Sequence, residues 1–147
     1  MLKVLFLSFL LFMSIHEMEG IATHVGFGWD GRSGASGIKY DGHAPLAAHK
    51  TLPFGTIVKV INNNKKSPFF GKSIAVMIID RGPYGRGRVI DMMPEALWAI
   101  TKRKAGGERV KLEILNTRYA CNTYMCLKKN LKTNRVSEEL LLKLLSK

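Results

Sequence analysis

The stretch "VMIIDRGPYGRGRVIDMM", residues 76–93, decides the fold. Four apolar residues, Val76 to Ile79, run without a polar break, as in a strand buried on both faces. They end on a carboxylate, Asp80. The segment Arg81-Gly82-Pro83-Tyr84-Gly85-Arg86-Gly87 then breaks the strand, since glycine and proline punctuate regular structure. Arg88 opens a third strand, "RVID", which ends on a second carboxylate, Asp91. A core strand that stops on an acid beside arginines and glycines is either a structural ion pair or the floor of a site.

Working outward, "TIVKVIN" (56–62) is a β-branched strand and "SIAVMIID" (73–80) is the buried one. Between them "NNKKSPFFGK" reads as a polar loop. "PEALWAITKRK" (94–104) reads as a helix, with Pro94 suited to its first turn and Glu95 favourable near its N-terminus. "AGG" stops it. "ERVKLEIL" (108–115) alternates Val110, Leu112 and Ile114, a strand of period two. Upstream, "THVGFGWDGRSGASGIKYD" (23–41) reads as a short strand followed by glycine turns. Its aromatics Phe27, Trp29 and Tyr40, with Tyr84, are expected to be mostly core. Downstream, residues 116–135 read as a cationic connector. "VSEELLLKLLSK" reads as a short amphipathic helix capped by Ser137. Several short strands, glycine turns and one helix predict a small, mostly-β barrel.

The N-terminus, "MLKVLFLSFLLFMSIHEMEGIA", has Lys3, an apolar run from Val4 to Met13 and small residues at Gly20 and Ala22. That is the layout of an export signal with cleavage after Ala22. Glu17 and Glu19 beside the cut fit an uncleaved anchor instead. The expected organisation is therefore a leader at 1–22, a barrel at 23–115 and a basic tail at 116–147. No membrane anchor is expected once the leader is cut. No cysteine lies in the first 120 residues, so an N-terminal lipidated cysteine is excluded.

The chain has 23 basic and 11 acidic residues, a formal charge of +12. Without residues 1–22 it would have 22 and 9, or +13. Such a chain is drawn to polyanions. "GRGR" is a weak nucleic-acid or phosphate signal, and an export signal favours the anionic polymers of a cell envelope over nucleic acid. Lys65, Lys66, Lys128, Lys129 and Lys132 also fit a solvated basic surface. Cys121 and Cys126, in "CNTYMC", read as a small disulfide loop, worth about 2 kcal/mol in the chain-entropy picture. A metal site would need more ligands, and no metal or cofactor is expected.

For chemistry, Asp80 stands out. At the end of an apolar strand its carboxyl is expected to be partly desolvated, which raises a carboxyl pKa and suits a general acid. Arg81 pushes the other way, as in a structural pair. His49, in "AAHKTLPFG", is either a packed hydrogen-bonding residue or a partner to Asp80.

Taken together, "GWDGRSGASGIKYDGHAPLAAHKTLPFGTIVKVIN", "IIDRGPYGRGRVIDMMPEAL" and "GGERVKLEIL" resemble the RlpA family over about residues 24–115. The resemblance implies a six-stranded double-psi β-barrel with one or two short helices, followed by the C-terminal amphipathic helix. It implies an endolytic peptidoglycan transglycosylase that cuts between N-acetylmuramic acid and N-acetylglucosamine without water, leaving 1,6-anhydro ends. Family preference is for glycan strands stripped of stem peptides. The family's catalytic aspartate falls on Asp80 and its histidine on His49. Arg81, Tyr84, Arg86, Arg88 and Asp91 are expected on the substrate side, with Asp91 also suited to anchoring an arginine. The partner is the peptidoglycan glycan strand, and the expected state is an exported monomer in the periplasm or envelope. This chain has Ile38 where the family usually has glutamate, a longer loop between the His49 and Asp80 motifs, and no C-terminal glycan-binding domain. Ile38 keeps a second reading open, an expansin-like glycan-binding module without activity. Charge and tail alone support a third, a nucleic-acid or membrane binder.

Overall fold

The computed structural model describes residues 18–146. The expected leader's first seventeen residues lie outside them. Six strands form a closed barrel: β1 (Met18–His24), β2 (Leu46–Ala48), β3 (Ile57–Asn62), β4 (Ser73–Asp80), β5 (Arg88–Met92) and β6 (Glu108–Asn116). Their order around the barrel is β1-β5-β2-β4-β3-β6. Two pairs are parallel, β1 with β5 and β2 with β4; the other four are antiparallel. Three short helices follow in chain order, α1 (Pro94–Thr101), α2 (Cys126–Leu131) and α3 (Glu138–Leu145). The mostly-β, six-stranded expectation holds. Among the described residues no helix is long and apolar enough to cross a membrane.

The uninterrupted apolar run in β4 has a direct cause. Val76 and Ile78 point into a cluster to which every strand contributes, with Ala22, Ala47, Val58, Ile90 and Val110 among its members, and α1 covers it with Leu97 and Ile100. Met77 and Ile79 point the other way, into a second cluster with Ile38, Tyr40, Leu46 and Phe54. The strand is therefore buried on both faces, and each such side chain contributes about 1.5–3 kcal/mol of burial.

Two boundaries differ from the sequence reading. The barrel begins at Met18, so the expected boundary after Ala22 falls inside β1. Ala22 is fully buried and pairs with both Ile90 and Glu108. Gly20 is small because a neighbour presses on it: a Cβ there would come within 2.3 Å of Val89 Cγ1. The tail is no loose connector. It contains α2, and Leu127, Val136, Leu141 and Leu144 are buried in the second cluster. Cys121 and Cys126 are joined by a disulfide, with Cα atoms 6.2 Å apart. The Ser137 cap is as expected, its Oγ accepting from the Leu140 N–H at 3.1 Å.

Of the four aromatics expected mostly in the core, only Tyr40 is buried. Phe27, Trp29 and Tyr84 are exposed, although Phe27 rests against His24, and Trp29 against Tyr40 and Arg32.

Candidate active site

Asp80 is the last residue of β4, where the ladder ends and its side chain is free to bond elsewhere. Its Oδ1 accepts the backbone N–H groups of Ala35 (2.8 Å) and Arg81 (2.9 Å). Its Oδ2 accepts the Tyr40 hydroxyl at 2.8 Å. A carboxyl group offers about four lone-pair sites. Three are taken, so Oδ2 keeps one for a ligand.

The turn from Gly34 to Tyr40 supplies two of those three donors. It is drawn onto β4 by the Ser36 N–H, which donates to the Ile79 carbonyl at 3.0 Å. Gly34 permits that approach, because a Cβ there would lie 2.7 Å from the Ile79 carbonyl oxygen. Tyr40 is buried, and desolvation followed by the neighbouring Asp80 charge pushes its phenol pKa far up. The phenol therefore stays protonated and donates at every working pH.

Strand β2 aligns beside β4, with Ala48 opposite Asp80. The next residue, His49, donates its backbone N–H to the Asp80 carbonyl at 3.1 Å. The imidazole is buried. Its Nδ1 accepts the N–H groups of Thr51 (3.1 Å) and Leu52 (3.0 Å), closing the "HKTL" turn. Two donors aimed at Nδ1 put the ring proton on Nε2. Burial first, then the charges of Arg81 and Lys50, pushes the His49 pKa down to about 4. The ring is thus neutral at neutral pH, able to donate from Nε2 but a poor proton acceptor.

This makes His49 a source of acid sensitivity. An unfolded imidazole binds a proton near 6.5 and the folded one only near 4. Between those values the unfolded state holds more protons, so stability falls as pH drops through that window, by up to about 3 kcal/mol. Urea unfolding at pH 7 and pH 4.5 should show this loss. His49→Asn, whose Oδ1 can accept the same two amides, should remove it. Equal losses in the two chains would place the pH dependence elsewhere.

The five residues expected on the substrate side divide. Tyr84 and Arg86 are exposed. Arg81 turns back into the protein: it donates to the carbonyls of His49 (3.2 Å) and Leu52 (2.8 Å), and its guanidinium lies 3.9 Å from the Phe54 ring centroid. That cation–π stack locks the "HKTLPF" segment beside Asp80. Arg88 pairs with Asp91 at 2.6 Å, and both bond Thr23. Asp91 anchors Arg88. Ile38 is wholly buried in the second cluster with Tyr40 and Ile79, so it gives the site no polar group. Tyr40 is the residue that sequence reasoning missed. In sequence it is one aromatic among several, and no local pattern reveals that a turn forty residues upstream lands on Asp80.

Residues 25–112 match the family model described as "Lytic transglycolase". The chain is 45% identical over 96 residues to a probable endolytic peptidoglycan transglycosylase RlpA of Synechocystis, covering 65% of this chain and 28% of that protein. It is 37% identical over 97 residues to the endolytic peptidoglycan transglycosylase RlpA of Campylobacter jejuni, covering 66% and 34%. It is 35% identical over 127 residues to the enzyme of that name from Rickettsia bellii, covering 84% and 52%. The chain thus spans between about a quarter and a half of the length of these relatives. Among solved structures, the Streptomyces papain inhibitor aligns at TM-score 0.47 and 23% identity, over 67% of this chain and 94% of that one. The family match runs from just after β1 into β6 and includes the His49 and Asp80 segments: the chain belongs to the RlpA-type lytic transglycolase family of double-psi β-barrels.

Proposed function

We propose that this protein is a lytic transglycosylase of the cell envelope that cleaves peptidoglycan glycan strands, with Asp80 as its acid. The single observation that carries the reading is the Asp80 carboxyl group, fixed by three donors with one Oδ2 position left open. Family membership supports it. In the protonated form Asp80 gives its proton to the glycosidic oxygen, and the bond from that oxygen to the muramic acid C1 breaks. The C6 hydroxyl of the same sugar then closes onto C1, and its proton returns to the Asp80 carboxylate. No water enters, so one carboxyl group serves both transfers, unlike hydrolysis by a carboxylate pair.

In this proposal Tyr40 holds Oδ2 by its permanent donor. His49, neutral and fixed through Nδ1, offers an Nε2–H to the sugar rather than removing a proton. Tyr84 and Arg86 are free to stack on a ring or meet a lactyl carboxylate. Arg81, Arg88 and Asp91 act as scaffold, because Arg81 Nη1, Arg88 Nε and Nη2, and Asp91 Oδ1 are already bonded to protein. Strands without stem peptides fit best, since the lactyl carboxylate is then exposed to a basic surface. The folded body acts after export and as a monomer.

One observation favours a second reading. Ile38 leaves the site with a single acid, which is what a glycan-binding module that had lost its chemistry would retain. Product mass separates the two. The full chain, incubated with peptide-free glycan strands, should release fragments one water lighter than hydrolysis products. Water-added ends would refute the mechanism. Binding with no soluble fragment would establish the binding module instead.

A further inference from the structure

We propose that the tail, residues 117–145, is a brace that fixes the geometry of Asp80 through the turn Gly34–Tyr40, with Met125 as its positioning residue. The functional part of this inference rests on Asp80 being the acid. The turn supplies Ala35 N–H and Tyr40 O–H to the carboxyl group and is pinned on its inner side by Ile79. Its outer side is held by the tail. The Lys39 N–H donates to the Asn134 carbonyl at 2.7 Å. The Met125 thioether lies directly against Gly37, so close that a Cβ there would stand 2.1 Å from Sδ. Gly37 also has a φ of 81°, which favours glycine.

The tail takes a second foothold on the other segment of the site. The Phe54 N–H donates to the Cys121 carbonyl at 2.8 Å, and Leu127 and the Tyr119 carbonyl press on Gly55. Phe54 is the ring beneath Arg81. Both segments that frame Asp80 are therefore clamped from one direction.

Covering an apolar barrel face would need only the leucines. Leu127, Leu141 and Leu144 do that. Met125 does something else. It is 36% exposed, more than any of those leucines, and its thioether presses on Gly37 instead of entering the core. It sits in the left-handed region at φ 62°, a conformation that costs a non-glycine residue on the order of 1 kcal/mol. It is held there beside the disulfide, whose six-residue loop presents it to Gly37. Strain kept at a contact with a catalytic turn is a sign of function rather than of packing.

The test uses the full chain carrying Met125→Ala, read by amide hydrogen exchange and by turnover on peptide-free glycan. Exchange over residues 34–40 should speed up roughly tenfold while β3 and β6 stay unchanged, since a braced turn opens locally. The kcat should fall roughly tenfold at constant KM, because small misplacement of a reacting group is costly while substrate contacts persist. Met125→Leu, which refills the same space, should restore both. Unchanged exchange at 34–40, or loosening spread evenly over β3 and β6, overturns the brace. If the turn loosens locally but the wild-type chain releases no anhydro ends, the brace stands and the proposed function falls.

Discussion

Asp80→Asn is expected to leave a folded barrel that releases no anhydro ends. The fold should survive because asparagine keeps an Oδ1 for the Ala35 and Arg81 amides, and its Nδ2 can donate to the Tyr40 oxygen. The stability change should stay within about 2 kcal/mol, the range of one rearranged hydrogen bond. The chemistry should not survive. General acid–base catalysis contributes about 10²–10⁴-fold. Here one group would perform both proton transfers, so the loss belongs at the upper end, about 10⁴-fold. Thermal unfolding and product mass on the same preparation check both halves. A folded variant that cleaves at the normal rate would remove Asp80 from the mechanism.

The second large effect concerns the start of the barrel. A chain beginning at Thr23 is expected not to fold, whereas one beginning at Met18 should match the full chain. Residues 18–22 provide all five register positions that β1 shares with β6 and two of the four that it shares with β5. Losing them opens the barrel along β6 and uncovers Val110 and Leu112, which are now buried. An unpaired central edge above an exposed core exceeds what a domain of typical stability, about 5–15 kcal/mol, can absorb. Circular dichroism and urea unfolding of the two chains decide it. Cooperative unfolding of the shorter chain at the normal midpoint would show that β1 is dispensable. The expected result requires any processing of the leader to occur before Met18.

These two outcomes mark what the sequence made legible. The strands β3 to β6 and the capped α3 each carry a local signal, whether alternation, an unbroken apolar run or a cap, and are legible within a residue or two; α1 is legible at its start and ends three residues earlier than "PEALWAITKRK" suggests. Asp80 stood out because a carboxylate interrupting a buried run is a local signal. Strand β2 is not legible: three residues, Leu46–Ala48, are too few to show alternation, and its parallel pairing with β4 leaves no hairpin turn. The first five residues of β1 read as leader because Gly20 satisfies two different demands, a small-residue cleavage rule and close approach to β5. The inward face of Ile38, the turn that brings Tyr40 to Asp80 and the docking of the tail are set by contacts between distant segments, which no window of sequence displays.

The pairing of β1 has a consequence for timing. Met18 sits opposite Leu112, and β1 is held on its other side by β5. Strand β1 therefore has no partner until roughly seventy further residues bring β5, and the barrel cannot close on β6 until roughly ninety exist, about 5–20 seconds of translation. Closure depends on contacts distant in sequence, which form slowly. During that interval the emerging chain remains open, and any machinery that threads polypeptides in an extended state can engage it before there is a barrel to unravel.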